Sequence, residues 1–400
     1  MIRLSDRVNQ LAESETLAMA KRSRELAAQG KQVINLSIGE PDFYTPDSIK
    51  QAAVEAIDLN YTFYSPVPGY KDLRDAICLK FKRDNNLDYT PEQIVVSSGA
   101  KHAIANAVLC LVNPGDEVLL PTPYWVSYRE LVKLAEGTPV FVPALIENDF
   151  KVTPQQIEQA ITDRTRLMIF SSPCNPSGSV YTEKELQALA EVFSRHEEIY
   201  IISDEIYELI NFTGGHASMA QFDFIRDRVV TVNGVSKGFA MTGWRLGYLG
   251  APRQIAAACE KLQGQMTSGA SSIAQRAALR ALLIDPGQSN DLQRMVNAFK
   301  ERRDLVIAEL GKIPGFQTNV PEGAFYVFPN VKKLFGKRFE NYQIKTSDDL
   351  CNYFLDKAFV AMVPGTAFGD PTCVRISYAT STSKLQEAIS RLNAAVSQLH

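Results

Sequence analysis

The chain has 400 residues, of which 45% are hydrophobic and 22% are charged, with 42 basic against 45 acidic side chains and a net charge of −3. This length exceeds what one hydrophobic core usually supports, so two domains are expected. The sequence lacks the block of basic residues that would indicate nucleic-acid binding. Its apolar runs, such as residues 107–112, are too short to span a bilayer. Acidic residues within the first thirty positions argue against a signal peptide.

Six cysteines are scattered along the chain without a Cys-x-x-Cys pair. This spacing is typical of reduced thiols rather than of a disulfide framework or a zinc site. We therefore expect a cytoplasmic protein that has no metal centre, no membrane partner and no nucleic-acid partner.

The N-terminal part predicts a helix over residues 6–29, closed by Gly30, and then a short strand that breaks at Gly39. Glycine lets the backbone approach a ligand closely, although the turn alone would also account for it. An amphipathic helix over residues 47–59 follows. The next loop, YTFYSPVPGY, contains Tyr64 and is rich in aromatic residues and proline, which is typical of loops that make contacts beyond their own domain.

From residue 94 onward a strand, a loop and a helix alternate, which is typical of an α/β protein. In such sheets, ligands bind beyond the carboxyl ends of the strands. A helix start with free N–H groups also suits an anion. The candidate residues at five successive strand ends are Gly99, Ala100 and Lys101 at the first, Trp125 at the second, Asn175 at the third, Asp204 with Tyr207 at the fourth, and Lys237 at the fifth.

Residues 236–248, SKGFAMTGWRLGY, carry the most specific signal and follow a β-rich run and an Asn-Gly turn. A lysine on a loop at a sheet edge, such as Lys237, can form a Schiff base when burial or neighbouring cations lower its pKa. The guanidinium of Arg245 and the hydroxyl of Ser236 suit a phosphate group. A lysine for an aldehyde, together with arginine and serine for a phosphate, predicts a pocket for pyridoxal 5′-phosphate.

After about residue 285 the pattern changes to a long charged helix over residues 291–310, several short strands and a final helix over residues 384–399. This change predicts a smaller α+β domain. One short strand, CVRISYA, places Arg375 on the face opposite its apolar neighbours. An arginine there is a candidate for binding a carboxylate with both arms of its fork; a solvated charge on an edge strand is the ordinary alternative.

The motifs resemble class I pyridoxal-phosphate aminotransferases over nearly the whole chain, from GEPDF near its start to VRISYATS near its end, and look most like bacterial aspartate aminotransferases. The resemblance implies an α/β protein of fold-type I. Its large cofactor domain would have a mixed sheet with helices on both faces and would comprise residues 47–285. Residues 1–46 and 286–400 would form a smaller, discontinuous α+β domain.

The resemblance also implies roles for the candidate residues. Asp204 would face the pyridine nitrogen, although an aspartate there also suits the cap of a following helix. Trp125 would stack on the cofactor ring, with a core tryptophan as the alternative. Lys237, Asp204 and Tyr207 would be catalytic. Cofactor contacts would come from Gly99, Ala100, Trp125, Asn175, Asp204, Tyr207, Ser236, Lys237, Arg245 and, from a partner subunit, Tyr64; substrate contacts would come from Gly39, Lys101, Trp125, Asn175 and Arg375.

The expected activity is a ping-pong transfer of an amino group from L-aspartate to 2-oxoglutarate in a homodimer with shared active sites. In the resembled aspartate aminotransferases, a lysine matching Lys101 and a threonine matching Thr16 are associated with the distal carboxylate of acidic substrates, although a solvated lysine is the alternative. Other options are an aminotransferase of aromatic or other amino acids or of keto acids such as prephenate, or a lyase with the same cofactor. A transcription factor would need a DNA-binding module, and the residues before Gly39 show no pattern for one.

Overall fold

The computed structural model describes residues 3–13 and 15–400, apart from the side chains of residues 16 and 17. The side chain of Thr16, which the family resemblance associates with the distal carboxylate of acidic substrates, is thus outside the described part. The strands in chain order are β1 (Ile34–Asn35), β2 (Ile94–Ser97), β3 (Glu117–Thr122), β4 (Thr138–Pro143), β5 (Thr165–Ser171), β6 (Tyr200–Asp204), β7 (Val229–Gly234), β8 (Gly247–Gly250), β9 (Tyr326–Val327), β10 (Arg338–Phe339), β11 (Tyr342–Gln343), β12 (Val360–Ala361), β13 (Val363–Pro364) and β14 (Val374–Ser377).

Helices cover the segments between most of these strands. In chain order they are α1 (Asp6–Asn9), α2 (Glu15–Ala28), α3 (Asp47–Asp58), α4 (Lys71–Asn85), α5 (Ala100–Leu111), α6 (Ser127–Leu134), α7 (Pro154–Ala160), α8 (Glu183–Phe193), α9 (Arg253–Met266), α10 (Ser272–Leu282), α11 (Asn290–Leu310), α12 (Ser347–Tyr353) and α13 (Thr382–Gln398). Within the described ranges, every helix is too short or too polar to serve as a membrane span.

A mixed seven-stranded sheet forms the larger part of the protein, in the order β2-β8-β7-β6-β5-β3-β4. Neighbouring strands from β7 to β4 are parallel, whereas β8 is antiparallel to both β7 and β2. The carboxyl ends of all strands except β8 therefore lie along one edge. The sequence predicted this sheet but missed β4, because β4 is an edge strand with exposed residues and lacks a continuous apolar run.

Helices cover both faces of this sheet because successive strand residues point to opposite sides. Leu119 and Met168 belong to one apolar cluster, together with residues of α4, α8 and α10. Their neighbours Val118 and Leu167 belong to a second cluster, with residues of α5, α6 and α9. Burial on both faces explains why these strands are continuous apolar runs in the sequence rather than alternating ones.

A second sheet, in the order β13-β14-β9, is antiparallel and lies in the C-terminal part of the chain. The N-terminal strand β1 pairs with β12 in parallel, so the N-terminal segment joins this part. The implied discontinuous arrangement agrees with that pairing. The domain boundaries at residues 46/47 and 285/286 stay a prediction, and one apolar cluster contains residues from both sides of them.

The single helix predicted over residues 6–29 is wrong, because the structure divides it into α1 and α2. Between them, the backbone N–H of Ala12 donates to Glu130 Oε2 of α6 at 2.9 Å. This contact with a distant helix uses a backbone group that a continuous helix would bond internally. Tertiary contact thus overrides the local helical pattern. The helices predicted over residues 291–310 and 384–399 are confirmed to within two residues at each end.

Candidate active site

A cavity of about 300 Å³ lies where the strands of the large sheet end. Trp125 follows β3, Asn175 follows β5, Asp204 ends β6 and Lys237 follows β7, and all four side chains line the cavity. Arg375 of β14 reaches it from the second sheet. The cavity thus joins residues that are far apart in the chain. Further predicted residues that line it are Gly39, Ala100, Lys101, Tyr207, Ser236 and Arg245.

Lys237 is held at the centre of this group. Its Nζ donates a hydrogen bond to the backbone carbonyl oxygen of Gly39 at 2.5 Å. Burial, followed by the nearby guanidinium of Arg375, lowers the pKa of Lys237 to about 8. Its amine therefore becomes neutral and nucleophilic at a lower pH than that of an ordinary lysine, which favours attack on an aldehyde.

Gly39 has little room for a side chain. A Cβ atom at this position would lie 2.5 Å from the hydroxyl oxygen of Tyr326. The backbone of the Gly39 loop consequently lies directly against the cavity, and its carbonyl faces the Lys237 ammonium. Glycine is therefore required here for packing against Tyr326, and the contact of Gly39 with a substrate stays a prediction.

Asp204 is buried at the end of β6, with 4% of its surface exposed. Its Oδ2 accepts a hydrogen bond of 2.6 Å from the hydroxyl of Tyr128 in α6, and its Oδ1 accepts from the backbone N–H of Ile206 at 3.3 Å. Burial raises the pKa of Asp204 to about 6. The carboxylate is thus charged at neutral pH but would be stabilised further by a cationic partner in the cavity.

Tyr207 and Asn175 bond to neighbouring side chains rather than to each other. The hydroxyl oxygens of Tyr207 and Tyr326 are 2.8 Å apart. Asn175 Oδ1 accepts from Arg375 Nη1 at 3.1 Å. Both residues line the same cavity, so their predicted convergence on one ligand atom is compatible with the structure.

The first strand end forms a pocket suited to an anion. Gly99 caps the start of α5 with a φ of +92°, and a Cβ atom there would collide with the guanidinium of Arg245. Glycine therefore permits the close approach of this backbone to the arginine. The N–H groups at the start of α5, the buried hydroxyl of Ser236 and the exposed guanidinium of Arg245 are together a donor set for a phosphate.

Arg375 is a buried cation, with 2% of its surface exposed. Its guanidinium carbon is 4.7 Å from the centre of the Tyr326 ring and 4.9 Å from that of Phe368. Its Nη2 donates to the carbonyl oxygen of Ser37 at 2.6 Å, and its Nε is buried without a hydrogen-bond partner. Among the described residues no carboxylate forms an ion pair with it, so an anionic ligand would complete this environment.

Lys101 and Trp125 lie together at the cavity. The ammonium nitrogen of Lys101 is 5.0 Å from the centre of the Trp125 ring. Desolvation, followed by the charge of Arg245, lowers the pKa of Lys101 although part of its side chain is exposed. The ring of Trp125 also packs edge-on against Tyr128, at 5.5 Å between centres. Trp125 therefore lines the cavity and also packs against the second apolar cluster.

Two predicted cofactor residues, Gly99 and Tyr64, do not line the cavity. Gly99 lies beside Arg245, which does, whereas the side chain of Tyr64 is 98% exposed. The contact assigned to it was to a partner subunit, so it stays a prediction. Of the lining residues that the sequence did not predict, two contact predicted site residues: Tyr128 donates to Asp204, and Tyr326 lies against Arg375. Tyr128 lies three residues after Trp125, but its role rests on the contact with Asp204, which is distant in the chain.

The comparisons with known proteins agree with this geometry. The model of the family described as aminotransferase class I and II matches residues 31–392. The chain is 48% identical to a bifunctional aspartate aminotransferase and glutamate/aspartate-prephenate aminotransferase of Petunia hybrida, over 99% of this chain and 83% of that protein. The chain belongs to this family. A Bacillus subtilis aspartate aminotransferase is 45% identical over 98% of both chains.

A solved structure supports the same assignment. The aspartate aminotransferase of Rhizobium meliloti superposes with a TM-score of 0.96 at 42% identity and covers 100% of both chains. This aminotransferase therefore has the predicted α/β architecture of fold-type I and is a transaminase that depends on pyridoxal 5′-phosphate. Its residues fit that cofactor, because the cavity combines a lysine of lowered pKa, a buried carboxylate and a glycine-lined set of phosphate donors.

The lowered pKa of Lys237 is testable in the cofactor-free aminotransferase. We expect the rate of reductive methylation of Lys237 to rise with pH with a midpoint of about 8, because only the neutral amine reacts. Ordinary lysines titrate at about 10.4. Peptide mass spectrometry across a pH series measures this directly. Arg375→Leu should move the midpoint to higher pH because it removes a nearby positive charge. A midpoint equal to that of exposed lysines would contradict the burial of this amine.

Proposed function

We propose that this aminotransferase transfers the amino group of L-aspartate to 2-oxoglutarate, giving oxaloacetate and L-glutamate, by a ping-pong cycle. The observation that carries the proposal is Arg375, a buried cation without an acidic partner among the described residues, in the same cavity as Lys237. Its fork suits the α-carboxylate of an amino acid. Relatives named aspartate aminotransferases, from Bacillus subtilis and Pinus pinaster among others, support aspartate as the donor.

In this proposal the cofactor phosphate is bound by N–H groups of Gly99 and Ala100, by the Ser236 hydroxyl and by Arg245. Trp125 would cover one face of the ring. Asp204 would accept a hydrogen bond from the ring nitrogen, and its ionised form would favour protonation of that nitrogen. When bound, the cofactor supplies an electron sink for the negative charge that develops on the substrate α-carbon.

The remaining residues would bind the substrate and move its protons. Lys237 would hold the cofactor covalently and, as a free amine, would be the base that removes the α-proton of the substrate. Its lowered pKa suits that task because its amine loses its proton at a lower pH than that of an ordinary lysine. Tyr207 and Asn175 would hydrogen-bond the phenolic oxygen of the cofactor. Arg375 and the backbone of Gly39 orient the α-carboxylate, so that the α-proton faces Lys237.

Lys101 provides the proposed specificity for acidic substrates. It is a second cation at the cavity, and its ammonium has no ion-pair partner among the described residues. The positive dipole end of α5 is an unfavourable place for a lysine, so a bound anion would relieve that position. We assign Lys101 to the distal carboxylate of aspartate, glutamate and their keto acids.

Prephenate is a second candidate substrate as the keto acid. Relatives from Nitrosomonas europaea and Cereibacter sphaeroides are named aspartate/prephenate aminotransferases, at 45% and 46% identity. Prephenate also carries two carboxylates, which matches the two cations Arg375 and Lys101. Transfer of the amino group of aspartate to prephenate, measured beside transfer to 2-oxoglutarate, decides whether both acceptors are used.

We further propose that the active unit is a cytoplasmic homodimer whose large domain comprises residues 47–285. Support for the dimer comes from the loop around Tyr64, where Tyr64 is 98% and Phe63 is 80% exposed. Adjacent large aromatic side chains in water are typical of an interaction surface. Tyr64 would bind the cofactor phosphate of the partner subunit. The free cysteines are compatible with a reducing compartment.

The assignment of Lys237 predicts the outcome of two experiments. Lys237→Ala should abolish transamination, because both the covalent linkage and the base are lost. Borohydride treatment of the holoenzyme should fix the cofactor to Lys237 alone, which peptide mass spectrometry identifies. Label on any other lysine would contradict the assignment. Turnover without a keto-acid acceptor would instead indicate a lyase.

Lys101→Ala should weaken transition-state binding of aspartate by about 1.5–3 kcal/mol, the range for a hydrogen bond to a charged group. The loss should be much smaller for alanine or phenylalanine, which have no second carboxylate. Steady-state kcat/KM for acidic and neutral donors measures the difference. Lys101→Arg is the matched control and should retain part of the preference. An equal decrease for all donors would assign Lys101 to the cofactor or to the fold.

Shared active sites predict complementation between two inactive or weakened variants. In a mixed dimer of Tyr64→Phe and Lys237→Ala chains, a tyrosine that acts across the interface leaves one site with both groups and the other with neither. Differently tagged chains allow the mixed dimer to be purified and assayed. Its activity should be about half that of the wild-type dimer because one of two sites is intact. Activity no higher than that of Tyr64→Phe, or a fully active monomer in sedimentation, would refute the proposal.

A further inference from the structure

Tyr326 connects the two sheets at the active site. It is the first residue of β9, is fully buried and pairs with Ser377 of β14. Its ring contacts the guanidinium of Arg375, and its hydroxyl contacts the hydroxyl of Tyr207 beyond the end of β6. One side chain therefore contacts a residue proposed to bind the substrate and a residue proposed to bind the cofactor.

The ring of Tyr326 holds Arg375 without neutralising it. Together with the ring of Phe368 it offers aromatic faces within 5 Å of the guanidinium carbon. Such faces attract a cation but do not use up its N–H donors. The only hydrogen-bond acceptors that the described residues give to this fork are Asn175 Oδ1 and the Ser37 carbonyl. The guanidinium is thus fixed in place and keeps donors for a carboxylate.

The hydroxyl of Tyr326 is suited to donate to Tyr207. Burial raises the pKa of both tyrosines, so both hydroxyls are neutral and one must donate to the other. The charge of Arg375 acts on both tyrosines but lies directly against the Tyr326 ring, which favours the Tyr326 hydroxyl as the donor. Tyr207 then accepts, and its own proton stays available for a ligand in the cavity. Hydrogen bonds in such a chain strengthen one another.

The same hydroxyl lies against the Gly39 loop. A Cβ atom on Gly39 would approach it to 2.5 Å, and the carbonyl of Gly39 accepts from Lys237. No side chain larger than glycine could stand between the Tyr326 hydroxyl and the backbone that faces Lys237. The position of this hydroxyl is therefore fixed by packing as well as by hydrogen bonding.

We propose that Tyr326 is a positioning residue that couples carboxylate binding at Arg375 to the proton affinity of the lysine–cofactor linkage, through its hydrogen bond to Tyr207. The inference rests on the proposed function of this site. When a carboxylate pairs with Arg375, the positive charge acting on Tyr326 is screened, and Tyr326 donates less strongly. Tyr207 then becomes a weaker donor to the phenolic oxygen, which holds the shared linkage proton more tightly. Substrate binding thus raises the proton affinity of the linkage.

Three variants of the holoenzyme test this coupling. Tyr326→Phe removes only the hydroxyl, and Tyr326→Leu removes the hydroxyl and the aromatic face. Tyr378→Phe is the matched control, because it removes another fully buried tyrosine hydroxyl, which donates to the Ala324 carbonyl at 3.3 Å. The visible absorbance of the cofactor is titrated against pH with and without maleate, a dicarboxylate that cannot react. Maleate affinity and thermal midpoints are measured for each variant.

Tyr326→Phe should raise the absorbance midpoint by about 0.5–1 pH unit, which corresponds to the loss of one ordinary hydrogen bond. It should also reduce the maleate-induced shift and leave the maleate Kd within about twofold, since the aromatic face is retained. Tyr326→Leu should have the same absorbance midpoint as Tyr326→Phe. It should bind maleate roughly tenfold more weakly than the wild type, because Arg375 loses one aromatic face. Tyr378→Phe should change thermal stability without moving the midpoint.

An absorbance midpoint and maleate-induced shift in Tyr326→Phe equal to those of the wild type would overturn the coupling. Equal midpoint changes in Tyr326→Phe and Tyr378→Phe would overturn it as well, because they would reflect general loosening of the fold. Failure of the proposed function looks different. In that case the wild-type holoenzyme itself shows no lysine-bound absorbance or no response to maleate, and both proposals fall together.

Discussion

The structure depends on the burial of two positive charges in one cavity. Arg375 is buried, Lys237 is half-buried, and the charge of Arg375 lowers the pKa of Lys237. Burying a cation is unfavourable unless polar groups solvate it. Among the described residues, neither cation has a carboxylate within ion-pair distance. An anionic ligand would stabilise both cations, and the same electrostatic environment lowers the pKa of Lys237.

Backbone carbonyls of one short segment solvate both cations. The carbonyl of Ser37 accepts from Arg375, and that of Gly39 accepts from Lys237. This segment follows β1 and is held in place because the carbonyl of Leu36 accepts from the N–H of Ser377 at 2.9 Å, in β14. Neutral acceptors stabilise a cation less than a carboxylate would. They hold the two side chains without removing the charge that a substrate requires.

Much of the site followed from the sequence because parallel strands end at a common edge. Trp125, Asn175, Asp204 and Lys237 could be grouped from their positions after apolar runs alone, and the structure brings them into one cavity. Tyr326 could not be found in this way, because it lies in a two-residue strand of the second sheet. Its role depends on how that sheet packs against the first.

Long-range contacts also explain the other differences between sequence and structure. Local periodicity predicted one N-terminal helix, yet a hydrogen bond from Ala12 to Glu130 interrupts it. Tyr128 was missed because its role at the site rests on a hydrogen bond to Asp204, which is distant in the chain. Local patterns indicate which segments form strands and helices. They contain little information about which side chains meet once those elements pack.

The place of Arg375 in β14 has a consequence for the newly made polypeptide. Asn175, Asp204 and Lys237 are synthesised well before the strand that carries Arg375. Until β14 docks beside the N-terminal segment, the guanidinium that contributes to the low proton affinity of Lys237 is absent from the cavity. The full lowering of the pKa of Lys237 therefore requires one of the last strands to be made, although the lysine itself belongs to the middle of the chain.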